Sequence, residues 1–345
     1  MTTEHKPTPE NIMKTSTAFW PAKVLLAAVR FQIFTMLAQQ KSMTARKIKL
    51  QLGLKCSDRH VYDFMDTLTS LGFLQREGLW DSAVYSNSPD TDFFLDRQKP
   101  SYIGGMLEML NNRLYKFWGN LEEGLLTGVP QNEVKSGDDL FKEIYADPAR
   151  LKEFVQAMSG VQMGNFTVFS QSFDFSWAKT LVDIGGSSGL LSLMVAKQQP
   201  HMTCTSWDLP QVAPIANETI AHFGLQERVK AASGDFFKDD FPSGDILVMG
   251  NILHDWEEKT KLMLMEKAYT ALPEGGALVA IENIIDDERI KNTLGLMMSL
   301  NMLIETGKGF DYTFAEFTEW AKQVGFKSTT IMPLAGPASA AIAYK

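Results

Sequence analysis

From residue 179 onward, short apolar stretches alternate with segments of helical pattern. Seven stretches have the length and composition of buried strands: 181–184, 203–207, 229–232, 245–249, 277–281, 327–332 and 340–344. Strands that alternate with helices in this way form a mostly parallel sheet with helices on both faces. The pattern therefore predicts a doubly wound, Rossmann-like α/β domain over residues 179–345.

The residues before this domain have a helical pattern. Apolar side chains recur at helical spacing over 24–37, Met43-Thr44-Ala45 is predicted to open a short helix, and a further helix is predicted from Asp58 through Leu71. Two short extended pieces, 71–74 and 79–85, come next. Helices followed by a small hairpin predict a winged-helix domain over residues 1–101.

A winged helix can bind DNA, or it can serve as a dimerisation domain that helps to close a pocket. The helix before the wing carries Asp58, Asp63 and Asp66 against Arg59 and His60, and the whole chain has a net charge of −8. Phosphate binding requires a basic field. The charge therefore favours a homodimer without a nucleic-acid partner, while a ligand-sensing winged-helix regulator remains the alternative from another class.

Residues 102–178 are predicted to form a helical connector that contributes to the substrate pocket. Its first part is rich in Met, Leu and aromatic residues, and a polar loop is expected over 130–138. Asp147-Pro148 is predicted to start a helix that runs to about Phe169. The boundary with the α/β domain is expected between residues 169 and 180.

Cysteine usage and hydropathy indicate in which cellular compartment the protein is expected. Cys56 and Cys204 are the two cysteines, far apart and outside any metal-ligand spacing, so neither a disulfide framework nor a metal site is expected. The first ten residues lack the apolar core of a signal peptide. The stretch 24–38 is too short and too polar to span a bilayer. We expect a cytoplasmic protein without a membrane partner.

The loop after the first strand of the α/β domain is rich in glycine. Gly185, Gly186 and Gly189 allow a tight turn and a close approach to a ligand. Ser187 and Leu190 stand where a dinucleotide fingerprint needs its second and third glycines. Asp183, just before the loop, would repel a pyrophosphate but suits the ammonium of an amino-acid ligand. The loop therefore favours S-adenosylmethionine over a dinucleotide.

Two more carboxylates end the next strands. Asp208 can accept hydrogen bonds from a ribose diol, or it can cap a helix; Asp235 can accept one from the adenine amino group while Phe236 packs on the ring, or it can be a turn residue. Ligands of open α/β sheets bind beyond the carboxyl ends of the strands. The predicted cofactor site comprises Asp183, Gly185, Gly186, Asp208, Leu209, Gly234, Asp235, Phe236, Gly250 and Asn251.

His254 follows the fourth predicted strand, so it is expected at the same edge of the sheet. Taken alone, His254 could be a structural histidine, but its position favours a catalytic role. Here the sequence resembles the small-molecule O-methyltransferases of plants and animals, which include the caffeic acid and acetylserotonin enzymes and bacterial antibiotic-tailoring relatives of secondary metabolism. The resemblance covers nearly the whole chain and rests on five segments: 183–186, 208–210, 234–237, 253–256 and 299–303. Ser187 departs from the glycine usual in the family.

The resemblance implies a class I methyltransferase sheet, S-adenosylmethionine as cofactor and His254 as general base. A neutral imidazole can take the proton of a hydroxyl as the methyl group arrives. The resemblance also implies that Glu282 and, more approximately, Asp311 support His254. Asp255, with Glu258 three residues on, is interpreted as the N-cap of a capping box.

A substrate wall is predicted from two helices. Met297, Met298 and Asn301 share one helical face, with Asn301 as the polar member of an apolar stripe. The facing wall would come from Phe154, Met158 and Gln162, and Trp118 could close it. The alternative is ordinary core or dimer packing, for which Met stripes are common.

Together these features predict an O-methyltransferase that acts on a hydroxyl of a small aromatic or otherwise apolar metabolite. Two alternatives on the same fold stay open, a C-methyltransferase and a non-methylating hydroxylase. His254 with its carboxylates favours a hydroxyl acceptor.

Overall fold

The computed structural model describes residues 7–99, 101–134 and 144–345. Two compact units divide the chain between Tyr115 and Lys116. The predicted connector is therefore shared between the units, with 102–115 in the first and 116–178 in the second. Part of the polar loop predicted over 130–138 lies outside the described residues.

The N-terminal unit consists of helices and a small antiparallel sheet. Its described helices are α1 (Glu10–Ser16), α2 (Phe19–Arg30), α3 (Ile33–Gln40), α4 (Ala45–Leu52), α5 (Asp58–Ser70), α6 (Pro89–Phe94) and α7 (Gly104–Met109), which continues into a π-helical turn, Leu110–Leu114. Its described strands are β1 (Met43–Thr44), β2 (Leu74–Glu77) and β3 (Val84–Asn87), in the order β1-β3-β2. The winged-helix assignment of this unit stays a prediction.

Two local predictions in this unit are wrong. The apolar run over 24–37 is two helices rather than one, because Gln32 adopts a left-handed conformation (φ 56°) between α2 and α3. Met43 and Thr44 form a strand instead of opening a helix, because they pair with Tyr85 and Val84 of β3. The helix starts one residue later, and the Thr44 hydroxyl caps it by accepting a hydrogen bond from the Lys47 amide.

The C-terminal unit holds the large sheet. Its described helices are α8 (Leu121–Thr127), α9 (Pro148–Ser172), α10 (Leu190–Gln198), α11 (Ala213–Phe223), α12 (Glu258–Ala271), α13 (Thr293–Glu305) and α14 (Phe314–Val324). Its strands are β4 (Thr180–Ile184), β5 (Thr203–Asp208), β6 (Val229–Ser233), β7 (Ile246–Gly250), β8 (Ala277–Glu282), β9 (Ser328–Pro333) and β10 (Ser339–Tyr344). All seven strands predicted in this region are present within one or two residues.

The sheet has the order β6-β5-β4-β7-β8-β10-β9. Strands β4 to β8 pair in parallel with one another, whereas β10 runs antiparallel to both β8 and β9. The chain order reverses between β4 and β7, and ligands of such sheets bind at this kind of switch point. The prediction of a doubly wound α/β sheet is confirmed.

Helix α9 lies against the carboxyl end of this sheet. Asp147 caps its first turn by accepting hydrogen bonds from the Ala149 and Arg150 amides, as the sequence predicts. Further along, the Phe166 ring packs on Gly250 so closely that a Cβ there would come within 3.2 Å of it. The helix therefore runs over the end of β7, where the predicted catalytic segment begins.

No single helix in the described ranges combines the length and hydropathy that crossing a bilayer requires. The apolar helix α13 has 13 residues, against the roughly 20 that span a membrane. Residues 10–30 and 33–40 meet the length and composition criteria only as a pair bent by 55°.

Candidate active site

The backbone of the glycine loop after β4 packs closely against Ser206 of β5. A Cβ on Gly186 would lie 2.3 Å from the Ser206 hydroxyl, so only glycine fits without movement. Ser187, the departure from the family pattern, is held in a left-handed conformation (φ 52°), which costs energy for a residue with a side chain. Its amide donates to Asp208 Oδ2 at 2.8 Å. The loop is thereby tied to the end of the neighbouring strand.

Asp183, which is buried, and Asp208, which is half-buried, form an acidic pair at the ends of β4 and β5. Asp183 is 3% exposed, and no ion pair to it occurs in the described ranges. Burial, with a smaller contribution from Asp208, raises the pKa of Asp183 to about 8. Burial also raises the pKa of Asp208 to about 6, although the Ser187 and Leu209 amides donate to it and oppose the rise. Neither carboxylate has an ion pair among the residues that the structure describes, and a cationic ligand could supply one.

Asp235 follows β6 at the same edge and is more exposed. It accepts hydrogen bonds from the Phe237 amide at 2.9 Å and from Lys238 Nζ at 2.7 Å. The Lys238 ammonium holds the pKa of Asp235 below its usual value. Phe236 packs edge to face against Trp256, with 5.7 Å between ring centroids. An apolar wall therefore stands beside this carboxylate.

The end of β7 carries the chain into the histidine turn. Gly250 is the last residue of the strand, and Asn251 follows in a left-handed conformation (φ 53°) with its amide donating to Ile281 O at 3.1 Å. A 3-10 turn, Leu253–Asp255, comes next and includes His254. Strained residues of this kind cluster at functional sites.

His254 is 5% exposed and lies between two carboxylates. Its Nδ1 is 3.4 Å from Asp311 Oδ1, and its Nε2 is 3.5 Å from Asp255 Oδ1. Both separations are ion-pair contacts, longer than a well-formed hydrogen bond. The ring nitrogens therefore have acidic neighbours on both sides.

Glu282, at the end of β8, contacts the histidine turn through its backbone. Its Oε1 accepts hydrogen bonds from the Ile252 and His254 amides, each at 3.1 Å. The side chain thus fixes the turn that presents the imidazole, rather than bonding to the imidazole itself. The sequence points to Glu282 correctly as a neighbour of His254 but does not reveal this backbone contact.

The interpretation of Asp255 as a helix N-cap is wrong. Helix α12 begins at Glu258 with Glu257 as its N-cap, and no side chain caps it. Asp255 instead belongs to the 3-10 turn and turns its carboxylate towards His254. The two-residue displacement arises because Trp256 continues in extended conformation before the helix starts.

Segment 309–313 brings Asp311 to His254 by a very close backbone approach. A Cβ on Gly309 would lie 2.5 Å from the His254 carbonyl oxygen and 2.6 Å from that of Asp255. Any residue other than glycine would push the segment away from the turn. Asp311 and the next residue, Tyr312, are both buried.

The neighbours of His254 decide its charge. Burial by itself would lower the pKa of His254, but the nearby charges of Asp255, Asp311 and Glu282 outweigh it and raise the pKa to about 10. The imidazole is therefore held as the cation in the free protein, and it becomes a proton acceptor as the pH rises towards that value.

The predicted substrate walls differ in how far they are buried. On α13, Asn301 is buried and Met298 half-buried, whereas Met297 is 43% exposed. Asn301 Oδ1 accepts a hydrogen bond from Trp118 Nε1 at 2.9 Å, which leaves its amide group near Met298 Sδ at 3.9 Å. Trp118 thus contacts Asn301 of the predicted wall directly. That Trp118 closes a substrate pocket stays a prediction.

On α9, the three predicted residues also differ. Gln162 is buried and its Oε1 accepts a hydrogen bond from Asn165 Nδ2 at 2.8 Å. Met158 is half-buried, and the Phe154 ring packs at a tilt against Tyr145 with 6.4 Å between centroids. The assignment of these residues to a substrate pocket stays a prediction.

Comparison with known proteins identifies both parts of the chain. A family model for the O-methyltransferase domain matches residues 118–327, and one for the O-methyltransferase dimerisation domain matches residues 13–97. The first match alone covers more than half of the chain. It includes every predicted cofactor, catalytic and substrate residue.

Individual relatives extend over nearly the whole chain. The tetracenomycin polyketide synthesis 8-O-methyl transferase TcmO of Streptomyces glaucescens is 34% identical, over 98% of this chain and 97% of its own. The 3-hydroxy-5-methyl-1-naphthoate 3-O-methyltransferase of Streptomyces sahachiroi is 29% identical, over 93% and 90%. The crystal structure of human N-acetylserotonin methyltransferase in complex with SAM is similar with a TM-score of 0.90 at 25% identity, over 100% and 99%. The chain therefore belongs to the S-adenosylmethionine-dependent O-methyltransferase family and carries both its dimerisation and its catalytic domain.

Proposed function

We propose that this enzyme methylates a hydroxyl of an aromatic, polyketide-like small molecule, with His254 as the general base. The observation that carries the proposal is the position of His254, buried at the same sheet edge as Asp183 and Asp208 and flanked by carboxylates. By their names, TcmO is an 8-O-methyl transferase of tetracenomycin polyketide synthesis, and the second relative methylates the 3-oxygen of an aromatic hydroxynaphthoate. Their similarity supports an aromatic acceptor.

The residues at the edge of the sheet fit S-adenosylmethionine. When bound, the cofactor supplies an electrophilic methyl group on a positively charged sulfur. Asp183 is buried, and no ion pair to it occurs in the described part of the chain, so it suits the ammonium group of the cofactor. Asp208 suits the ribose diol, and glycine at 186 lets the loop backbone approach a ligand closely. Asp235 and Phe236 would hold the adenine.

His254 would take the proton of the acceptor hydroxyl at Nε2. Nδ1 is buried against Asp311, so this nitrogen orients the ring, and Glu282 fixes the turn through two amides. Asp255 and Asp311 stabilise the imidazolium that forms. Proton removal at a positioned imidazole contributes about 10²- to 10⁴-fold to such reactions.

The acceptor would lie between α9 and α13. Met158 and Met298 offer adaptable apolar contacts for a flat ring, and the Asn301 amide, held at its oxygen by Trp118, can donate to an acceptor oxygen. Gln162 is a second polar side chain on the facing helix. We further propose that the enzyme acts as a homodimer through residues 13–97, which match the dimerisation domain.

Product analysis tests the proposal. The enzyme is incubated with cofactor labelled with ¹³C in its methyl group and with a set of aromatic compounds that carry one, two or no hydroxyls. We expect a labelled methoxy signal only with hydroxylated acceptors. A labelled C-methyl or N-methyl product, or a hydroxylated product without label, would contradict O-methylation.

A further inference from the structure

A hydrogen bond between two hydroxyls joins α9 to the glycine loop after β4. Ser159 Oγ, in the middle of the helix, lies 2.7 Å from Ser188 Oγ in the loop. Ser159 Oγ also donates to the Val155 carbonyl oxygen at 2.8 Å. A serine hydroxyl has one proton to donate, and that of Ser159 goes to Val155. The proton between the two hydroxyls therefore comes from Ser188, and Ser159 accepts it.

The direction of the Ser188 hydroxyl depends on the conformation of the loop. Ser188 lies between two residues in left-handed conformation, Ser187 (φ 52°) and Gly189 (φ 76°). The Ser187 amide donates to Asp208, the carboxylate proposed for the ribose. A cofactor that contacts the loop and Asp208 would fix the backbone next to Ser188. It would thereby also fix the direction in which the Ser188 hydroxyl donates.

The two halves of α9 are anchored unequally. The C-terminal half contributes Phe166 and Phe169 to the large core cluster that includes residues of β4, β7 and β8. The N-terminal half has only a small cluster of its own, in which Leu151 and Val155 pack with Val212. Segments held by few buried apolar contacts open more easily than the core does. The N-terminal half is therefore the part of α9 whose order can depend on a ligand.

Two glycines weaken the helix where these halves meet. Gly160 follows Ser159 directly, and Gly164 comes about one turn later. Glycine is less favourable than alanine inside a helix, because it loses more backbone freedom on folding. The helix is therefore weakest next to the hydrogen bond to the loop. The half before this point carries Phe154 and Met158, which are assigned to the acceptor wall.

We propose that Ser159 is a positioning residue that transmits cofactor binding to the acceptor wall: through Ser188, a cofactor at the glycine loop holds the N-terminal half of α9 in place. The inference rests on the proposed cofactor site and on the proposed acceptor wall. An acceptor would then meet Phe154 and Met158 in fixed positions once the cofactor is bound. By linkage, each of the two ligands would favour the binding of the other.

A purely structural role of this hydrogen bond makes a different prediction. The bond would then stabilise α9 to the same extent with and without a ligand. Removing it would speed amide hydrogen exchange of the helix by the same factor in both states. The proposed role requires instead that the effect of the ligand on α9 depends on the bond.

The test measures amide hydrogen exchange of residues 151–159 with and without saturating S-adenosylhomocysteine. In the unaltered protein we expect the ligand to slow this exchange about two- to tenfold, the ratio that one net hydrogen bond can contribute. Ser159→Ala and Ser188→Ala should lose most of this slowing, while residues 183–190 of the loop region stay protected by the ligand. Ser172→Ala, at the exposed end of the same helix, is the matched control and should keep both effects.

The double variant Ser159→Ala/Ser188→Ala should behave like either single variant, because each change removes the same bond. Equal slowing by the ligand in Ser159→Ala and in the unaltered protein would overturn the proposal. So would an unaltered protein in which the ligand protects the loop but leaves residues 151–159 unchanged. A ligand that protects neither the loop nor α9 would refute the proposed cofactor site instead.

Discussion

The acid–base properties of the site depend on individual residues whose neighbours come from distant parts of the chain. His254 is held between Asp255 and Asp311, and Asp183 is buried beside Asp208. The pKa values of His254 and Asp183 are therefore both raised well above their ordinary values. These shifts and contacts lead to three predictions at the scale of the residue.

Replacing His254 with Ala should lower kcat by about 10²- to 10⁴-fold, because the proton of the acceptor then has no positioned base. The affinity for the cofactor should change little, since the carboxylates that contact the His254 ring, those of Asp255 and Asp311, are not among the predicted cofactor residues. Steady-state kinetics and calorimetric titration measure the two effects. His222→Ala, an exposed histidine on α11, is the control. Unaltered turnover in His254→Ala would refute the proposed base.

The pH dependence of kcat/KM should follow from the raised pKa of His254. The base works only when deprotonated, so the rate should rise with pH towards about 10. A rate that reaches its plateau near the ordinary histidine pKa, about 6.5, would show that the carboxylates do not hold the proton on His254.

Cofactor binding should depend on the ionisation of Asp183. Its pKa is about 8 in the free protein, so the carboxyl is mostly protonated at pH 7, and an ammonium ligand must displace that proton. The affinity for S-adenosylmethionine should therefore increase as the pH rises from 6 to 8, by up to tenfold per unit. Asp183→Asn should bind weakly with a flat pH dependence over this range. An unchanged dissociation constant in Asp183→Asn would exclude this contact.

The sequence reveals some of these residues and not others. Asp183, Asp208 and His254 follow recognisable strands, so their arrival at one edge could be predicted from the alternation of strands and helices. The bonds from Glu282 to the Ile252 and His254 amides could not be predicted, because Glu282 is 28 or more residues further along the chain and no local pattern marks such a contact. The prediction that Asp255 caps a helix is wrong for a related reason. The spacing of a capping box is present, but the Asp255 carboxylate contacts His254 instead of a helix amide.

At the scale of elements, the site depends on short connecting segments that are closely packed. Segment 309–313 reaches the histidine turn only through the close approach of Gly309. The Trp118–Asn301 hydrogen bond similarly ties the chain before α8 to the middle of α13, and the Gln131 amide donates to Ile304 O at 2.8 Å near the end of that helix. Both sets of contacts can be tested by single substitutions.

Gly309→Ala should reduce both activity and stability. A Cβ there would overlap the His254 and Asp255 carbonyl groups, so the segment must move and Asp311 must move with it. We expect about 2 kcal/mol of destabilisation and a fall in kcat of at least tenfold. Chemical denaturation and kinetics measure these effects. Gly119→Ala, where a Cβ meets open space, is the matched control. A Gly309→Ala variant as active and stable as that control would contradict the packing argument.

Elements differ in how well they can be predicted. The strands of the large sheet are found because each is a compact apolar run of ordinary strand length, and α9 is found because Asp147-Pro148 is a recognisable start. The break between α2 and α3 is missed because Gln32 carries no glycine or proline signal for its left-handed conformation. Strand β1 is missed because it exists only through pairing with β3, some 40 residues later.

At the scale of the whole molecule, the proposed dimer can be tested through the apolar surface of the N-terminal unit. Phe19 and Trp20, at the start of α2, are both more than half exposed and lie within the matched dimerisation domain. Large exposed apolar side chains of this kind mark interaction surfaces. The double change Phe19→Glu/Trp20→Glu should convert a dimer into a monomer, as measured by light scattering after size-exclusion chromatography.

Phe223→Glu is the control, since Phe223 is exposed on α11 of the C-terminal unit, outside the matched dimerisation domain. This variant should remain dimeric. A dimer that survives the change at Phe19 and Trp20 would show that another surface joins the subunits, and a monomeric unaltered protein at micromolar concentration would refute the homodimer.

The position of β10 inside the large sheet has a consequence for how the molecule assembles. Strand β9 is hydrogen-bonded to β10 and not to β8, so it has no place in the sheet until β10 has been synthesised and inserted. A nascent chain therefore exposes the free edge of β8, which ends in Glu282, throughout the synthesis of α13, α14 and β9. We expect the β9–β10 hairpin to dock as one late step, and the turn that presents His254 to become rigid only then, because Glu282 anchors it from that edge.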